Sequence, residues 1–174
     1  MTTLDQLATI VDSFEQTARE HFARDGEVAP LSIVGATRKP DGTLSKGLAL
    51  LQWSGCQCSK DEMRDRQRRA VDILAAEWIC NISEAWAVSF TDEAPVDISS
   101  MPRPSKHPDR IEIIQLHAEC PHGMISRVIE ITRDADGKGS LGPARDHRGN
   151  AAETAQVAAV STFTGYFTRP VAEA

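Results

Sequence analysis

The chain has 174 residues, of which 41% are hydrophobic, 25% charged and 5% aromatic, and its formal net charge is −6. This length and composition predict one globular domain and exclude a wholly disordered chain. No apolar run reaches the roughly 18 to 20 residues that cross a bilayer, and the negative charge disfavours nucleic acid and anionic lipid as partners. Because the N-terminal residues lack the basic flank and apolar stretch of a signal peptide, we expect a cytoplasmic protein.

The first predicted element is an amphipathic helix over residues 4–24. Thr3 and Gln6 have the spacing of a capping box, in which each side chain accepts a hydrogen bond from a free backbone N–H, and Gly26 suits the C-terminal end. The apolar residues recur at spacings of three and four and form one stripe: Leu4, Leu7, Ile10, Val11, Phe14, Ala18 and Phe22.

Two apolar runs, Leu31–Ala36 and Gly47–Trp53, follow and predict a β-hairpin with a long connection. A second helix then begins after Ser59, which forms a capping box with Glu62. Its apolar spacing predicts that it extends to about Cys80.

Alternating residues predict a third strand at Ile82–Phe90, followed by a proline-rich loop over 91–110. A second hairpin is expected from Ile111–Glu119 and Ile125–Arg133. A connection as long as this proline-rich loop is uncommon inside a compact domain and is often functional.

The element order α-β-β-α-β-β-β predicts an α+β fold with a mainly antiparallel sheet of about five strands. We expect both amphipathic helices to pack on one face of this sheet. Residues 1–133 would form the single α+β domain, and residues 134–174 a linker and tail with a short helix at 151–160.

Neither a cofactor nor a metal is expected. Gly137–Gly142 has the G-x-G-x-x-G spacing of a dinucleotide-binding turn, but Pro143 follows and no amphipathic helix continues. Cys56 and Cys58 lie too far along the expected fold from Cys120 to share a zinc site. Reduced thiols are the default, and Cys56 is either a half-buried structural residue or a thiol activated by the N-terminus of the second helix.

Glu84 lies in an otherwise apolar row of the third strand, which includes Trp86. If Phe90 pairs near Ile111, antiparallel counting places His117 opposite Glu84, and the two side chains become a candidate catalytic acid/base pair. A slip of one residue would move the partner to the other face. The alternative is that Glu84 is solvated or paired with an arginine.

A dense charged cluster ends the long loop and comprises His107, Asp109, Arg110 and Glu112. It is either a salt-bridged clamp that fixes the loop or a binding rim in which Arg110 binds a carboxylate or phosphate. We take these residues, together with Trp86, as candidate binding residues.

Three segments of the chain have the character of motifs: Arg24–Pro30 (RDGEVAP), Ser83–Trp86 (SEAW), and Ser105–Arg110 (SKHPDR) followed by Glu112. They resemble motifs of uncharacterised bacterial and phage-borne proteins, a similarity that covers residues 15–133. The resemblance implies a phage or prophage origin and gives weight to the second and third motifs. It implies no catalytic residue, because the family has no established activity.

We therefore expect a non-enzymatic binding or accessory protein that acts through protein contacts, with a host protein as partner and homo-oligomerisation through the tail. The acidic first helix supports this hypothesis, and charge reversal at Glu15, Glu20 and Asp25 should abolish binding without lowering stability. The alternative is a small hydrolase-like enzyme that uses Glu84 and His117 as an acid/base pair. In that enzyme Arg110 would orient an anionic substrate.

Overall fold

The computed structural model describes residues 2–36, 47–88, 104–158 and 166–167. The elements follow in chain order: α1 (Leu4–Asp25), β1 (Leu31–Ala36), β2 (Gly47–Gln52), α2 (Lys60–Ile73), β3 (Trp78–Ala87), a 3₁₀ turn (Pro104–Lys106), β4 (Ile111–Cys120), β5 (Gly123–Arg133), β6 (Gly139–Asn150) and α3 (Ala151–Ala158). None of the helices in the described ranges is long and apolar enough to span a membrane.

Both predicted capping boxes are confirmed. The Thr3 side chain accepts from the backbone N–H of Gln6, and Gly26 ends α1 in the left-handed conformation with φ of 77°. Ser59 and Glu62 make the same reciprocal pair at the start of α2. Helix caps depend on hydrogen bonds between residues that are close in sequence, so they can be predicted without the tertiary structure.

The second helix is shorter than the sequence predicted. α2 ends at Ile73, and Ala75 turns the chain with a positive φ of 46°. Trp78 and Cys80 therefore belong to β3, whose alternation buries both on the side of α1. Closely spaced apolar residues fit either one side of a helix or one face of a strand, so their spacing did not locate the end of α2.

The structure has the expected α+β class, and the described residues form a single six-stranded antiparallel sheet in the order β2-β1-β3-β4-β5-β6. β6 forms where the sequence predicted a linker, and it begins at Gly139, the second glycine of the G-x-G-x-x-G spacing. Most of its side chains are exposed, so backbone pairing with β5 holds it in place, and there is little hydrophobic alternation to identify it.

The two main helices lie on opposite faces of the sheet, and the expectation that they share one face is wrong. Ile33 and Cys80 pack with α1, whereas Val34 and Ile79 pack with Val71 of α2. Successive residues of a strand point to opposite faces. Because β1 and β3 carry buried apolar residues on both faces, a helix packs against each face. We call these faces the α1 face and the α2 face.

Candidate functional site

The structure does not bring Glu84 and His117 together. Glu84 is the Cα partner of Ile114, and His117 that of Asn81, so the two residues are offset by three positions along the strands. At about 3.3 Å per residue this offset is roughly 10 Å. Alternation also puts Glu84 on the α1 face and His117 on the α2 face. The expected acid/base pairing is therefore wrong, because the real register differs from the assumed one by three residues.

Glu84 instead anchors the segment that follows α1. The backbone N–H of Val28 donates to Glu84 Oε1 at 2.7 Å. Burial raises the pKa of Glu84, the bond from Val28 lowers it, and the nearby Glu112 carboxylate raises it again. The carboxylate therefore holds a backbone group of its own chain.

His117 lies on the α2 face beside polar partners. Its Cα partners are Asn81 on β3 and Ser126 on β5. Burial lowers the pKa of His117 from 6.5 to about 4. The imidazole is therefore neutral at physiological pH.

Trp86 and Arg110 form an exposed stacked pair. The Arg110 Cζ atom lies 4.9 Å from the centroid of the Trp86 ring, within the range of a cation–π contact. α1 ends at Asp25, and the segment after it reaches the sheet at Glu84 through Val28. Trp86 is two residues beyond Glu84 on the same face and remains 43% exposed.

Glu112 stands beside this pair and is held by an arginine. It is the Cα partner of Trp86, and Arg133 donates to its two carboxylate oxygens at 2.6 and 2.8 Å. This bond lowers the pKa of Glu112. We call Trp86, Arg110, Glu112 and Arg133 the Trp86 surface.

His107 and Asp109 shape the turn that presents Arg110. The Asp109 backbone N–H donates to His107 Nδ1 at 3.1 Å, and the Arg110 backbone N–H donates to the His107 carbonyl at 3.3 Å. The His107 and Asp109 side chains are 4.0 Å apart. These hydrogen bonds of His107 fix the turn, and Arg110 projects onto Trp86; the binding role of Arg110 stays a prediction.

The three motifs of the sequence meet at this end of the α1 face. The first contacts the second through the Val28–Glu84 bond, and the second contacts the third through Trp86 and Arg110. The residues between the first and second motifs include all of β1, β2 and α2, so only the sheet brings the motifs together.

A buried polar network on the α2 face was missed by the sequence analysis. Ser32 Oγ donates to Asn81 at 2.6 Å and accepts from the Trp53 indole at 2.8 Å, and the Gln67 amide donates to Ser32 and Asn81. Tyr166 donates to Gln67. A polar Gln67 within the apolar stripe of α2 was the available signal.

A small cavity adjoins this network. Its volume is about 60 Å³, and its lining includes Pro30, Trp53, Met63 and Ser83. Sites for small organic ligands usually occupy roughly 300–1,000 Å³. The cavity can hold ordered water but is too small for a metabolite.

The acidic side of α1 is largely occupied by contacts within the protein. Arg127 on β5 donates to Asp12 and Glu15 at 2.7 Å each, and to both carboxylate oxygens of Asp146. Glu15 also pairs with Arg19 at 2.6 Å. Reversing the charge of Glu15 would therefore cost stability, contrary to the sequence-based expectation.

The cysteines fall into two classes. Cys56 and Cys58 are joined by a disulfide, so the expectation of reduced thiols is wrong for this pair. Cys80 and Cys120 are free and buried, and burial raises the pKa of Cys80 to about 12. Among the described residues, no group of three or more His, Cys, Asp or Glu side chains is arranged to hold a metal ion.

Comparisons with known proteins found no matching family, no matching curated protein and no matching solved structure.

Proposed function

We propose that this protein is a non-enzymatic binding protein that recognises another protein through the Trp86 surface. The observation that supports the proposal is the exposed Trp86 ring with the Arg110 guanidinium stacked 4.9 Å from its centroid. Tryptophan and arginine are the residues most enriched at the energetic centres of protein interfaces. Stacking holds the guanidinium in place before binding, so less side-chain entropy is lost on association.

The charges on the Trp86 surface indicate the chemistry of the partner. Glu112 is neutralised by two hydrogen bonds from Arg133. No carboxylate within the described ranges forms an ion pair with Arg110. A partner that matches this surface would pack an apolar group on the Trp86 ring and place a carboxylate within hydrogen-bonding reach of Arg110.

The enzyme hypothesis requires Glu84 and His117 to lie within reach of each other, and they do not. A general base must be within hydrogen-bonding reach of its partner, and Glu84 and His117 lie on opposite faces of the sheet. In line with the resemblance to phage-borne proteins, we propose that the partner is a host protein and that binding takes place in the cytoplasm.

Self-association would use a different part of the molecule from the tail that the sequence suggested. β2 is an edge of the described sheet, carries no charged residue, and leaves Leu48 63% and Leu50 57% exposed. The opposite edge, β6, carries Pro143, Arg145 and Asp146, which are typical of edges protected against pairing. We therefore propose that two copies pair through antiparallel β2 strands about a two-fold axis.

The proposed function is tested by capture of partners from the native host on immobilised protein. The Trp86→Ala variant should lose at least roughly tenfold in affinity for the captured partner, as expected for an interface hot spot. Ile73→Ala is the matched control, because Ile73 is an exposed apolar residue, 82% accessible, at the far end of α2. If Trp86→Ala binds the partner as tightly as the control does, the Trp86 surface is not the interface.

A further inference from the structure

The Cys56–Cys58 disulfide lies at the surface, unlike the other two cysteines. Cys56 and Cys58 are each partly exposed, and the intervening Gln57 is exposed. Cys80 and Cys120 are 0% and 2% accessible. Thiols and disulfides in solution can therefore reach one pair and not the other, since exchange requires direct access to sulfur.

This disulfide does little to hold the fold together. Its two cysteines are separated by one residue and belong to the same connection between β2 and α2. The entropic stabilisation from a disulfide increases with the length of the loop it closes, and this loop is very short. The connection is also held by a backbone bond, in which the Cys56 N–H donates to the Trp53 carbonyl at 3.0 Å.

The surroundings favour a reactive thiolate once the bond is opened. Cys58 directly precedes Ser59, the N-cap of α2, where free N–H groups produce a partial positive charge. The Cys58 backbone N–H donates to Cys56 Sγ at 3.3 Å. Asp61 and Glu62 in the first turn partly offset the helix contribution. Both cysteines therefore lie just before the start of α2, where a thiol in solution can reach them.

We propose that Cys56-Gln57-Cys58 is a thiol–disulfide exchange site for low-molecular-weight thiols such as glutathione. A glutathione thiolate attacks one sulfur of the Cys56–Cys58 bond, forms a mixed disulfide and releases the other sulfur as a thiolate, which takes up a proton. A second glutathione thiolate attacks the mixed disulfide and leaves as oxidised glutathione. Overall, two glutathione molecules lose two electrons and two protons, and the protein gains a dithiol. This activity is independent of the proposed protein binding.

The proposal is tested on the full chain equilibrated in buffers of varied reduced-to-oxidised glutathione ratio, quenched with acid, alkylated and analysed by mass spectrometry. Cys56 and Cys58 should pass together from unmodified to fully alkylated across the series. In the folded, reduced protein they should react at least roughly 100-fold faster than Cys80 and Cys120, which become accessible only on local opening. A pair that stays bonded, or stays reduced, in every buffer would overturn the proposal.

Two further measurements separate exchange from a structural role. A Cys58→Ser variant should form a mixed glutathione disulfide at Cys56, and failure to form it would contradict the mechanism. The melting temperature of the reduced protein should lie within a few degrees of that of the oxidised protein, as expected for so short a loop. Unfolding on reduction would show instead that the bond is a structural staple.

Discussion

Arg127 should be among the most sensitive charged residues in the described fold, and Arg127→Met tests this. The residue is 7% exposed, and its guanidinium donates to three carboxylates, those of Asp12, Glu15 and Asp146. Methionine keeps a similar length and apolar stem but removes all of these donors. Asp12 and Asp146 would then lose the guanidinium that they share, and Glu15 would keep only its pair with Arg19.

The magnitude follows from the burial of the group. Removing one member of a buried ion pair typically costs about 3–5 kcal/mol, because the remaining charge stays desolvated. We expect the lower end, about 3 kcal/mol, because the Asp12 side chain is 65% exposed and can rehydrate. In a domain of this size each kcal/mol shifts Tm by roughly 2–4 °C, which gives a fall of about 6–12 °C.

The assay is urea unfolding followed by circular dichroism, with Arg145→Met as the matched control. Arg145 is an exposed arginine whose carboxylate partner is 3.8 Å away, and its loss should change the free energy of unfolding by less than about 1 kcal/mol. The bond from Arg127 lowers the pKa of Asp146, so this stabilisation is present above the unfolded pKa and is lost as pH falls. The difference between wild type and Arg127→Met should therefore persist down to about pH 4 and shrink below it, as Asp146 becomes protonated. Equal stability of Arg127→Met and the control at pH 7 would refute the reasoning.

Three further predictions concern pH, packing and self-association. Burial lowers the pKa of His117 to about 4. The free energy of unfolding should therefore be highest above pH 6.5 and fall by about 3 kcal/mol on acidification toward pH 4, and His117→Gln should reduce this dependence on pH. Gly35→Ala should destabilise by about 1–3 kcal/mol in urea unfolding, because the new Cβ would lie 2.3 Å from the Trp78 ring, whereas Gly142→Ala meets only ordinary contacts and should be near neutral. Leu50→Lys should shift sedimentation from dimer to monomer, since like charges would face each other across paired β2 strands, and a wild type that sediments as a monomer would contradict the proposed pairing.

Much of the local structure could be predicted from the sequence. The two capping boxes, the Gly26 end of α1 and the antiparallel α+β class follow from residue spacing and neighbouring backbone groups. Prediction failed where spacing fits two structures, as at Trp78, and where a strand lacks hydrophobic alternation, as in β6. Both failures arise because short apolar runs and exposed strands carry little local information.

The candidate site could be predicted only in part. The sequence proposed the charged cluster and Trp86 as candidate binding residues, and the structure brings Trp86, Arg110 and Glu112 together. The catalytic pair depended on an assumed register, and the true register separates Glu84 from His117. Strand register depends on long-range pairing that residue spacing does not specify.

The sequence by itself determined the helix caps and the class of fold, since these depend on residue spacing and on interactions a few residues apart. The tertiary structure decided which face each helix covers, that Glu84 anchors Val28, and that Arg127 neutralises the acidic side of α1. Arg127 is more than a hundred residues from Asp12 along the chain. Such contacts form only when the sheet fixes its register, because the pleat sends each residue to one face or the other.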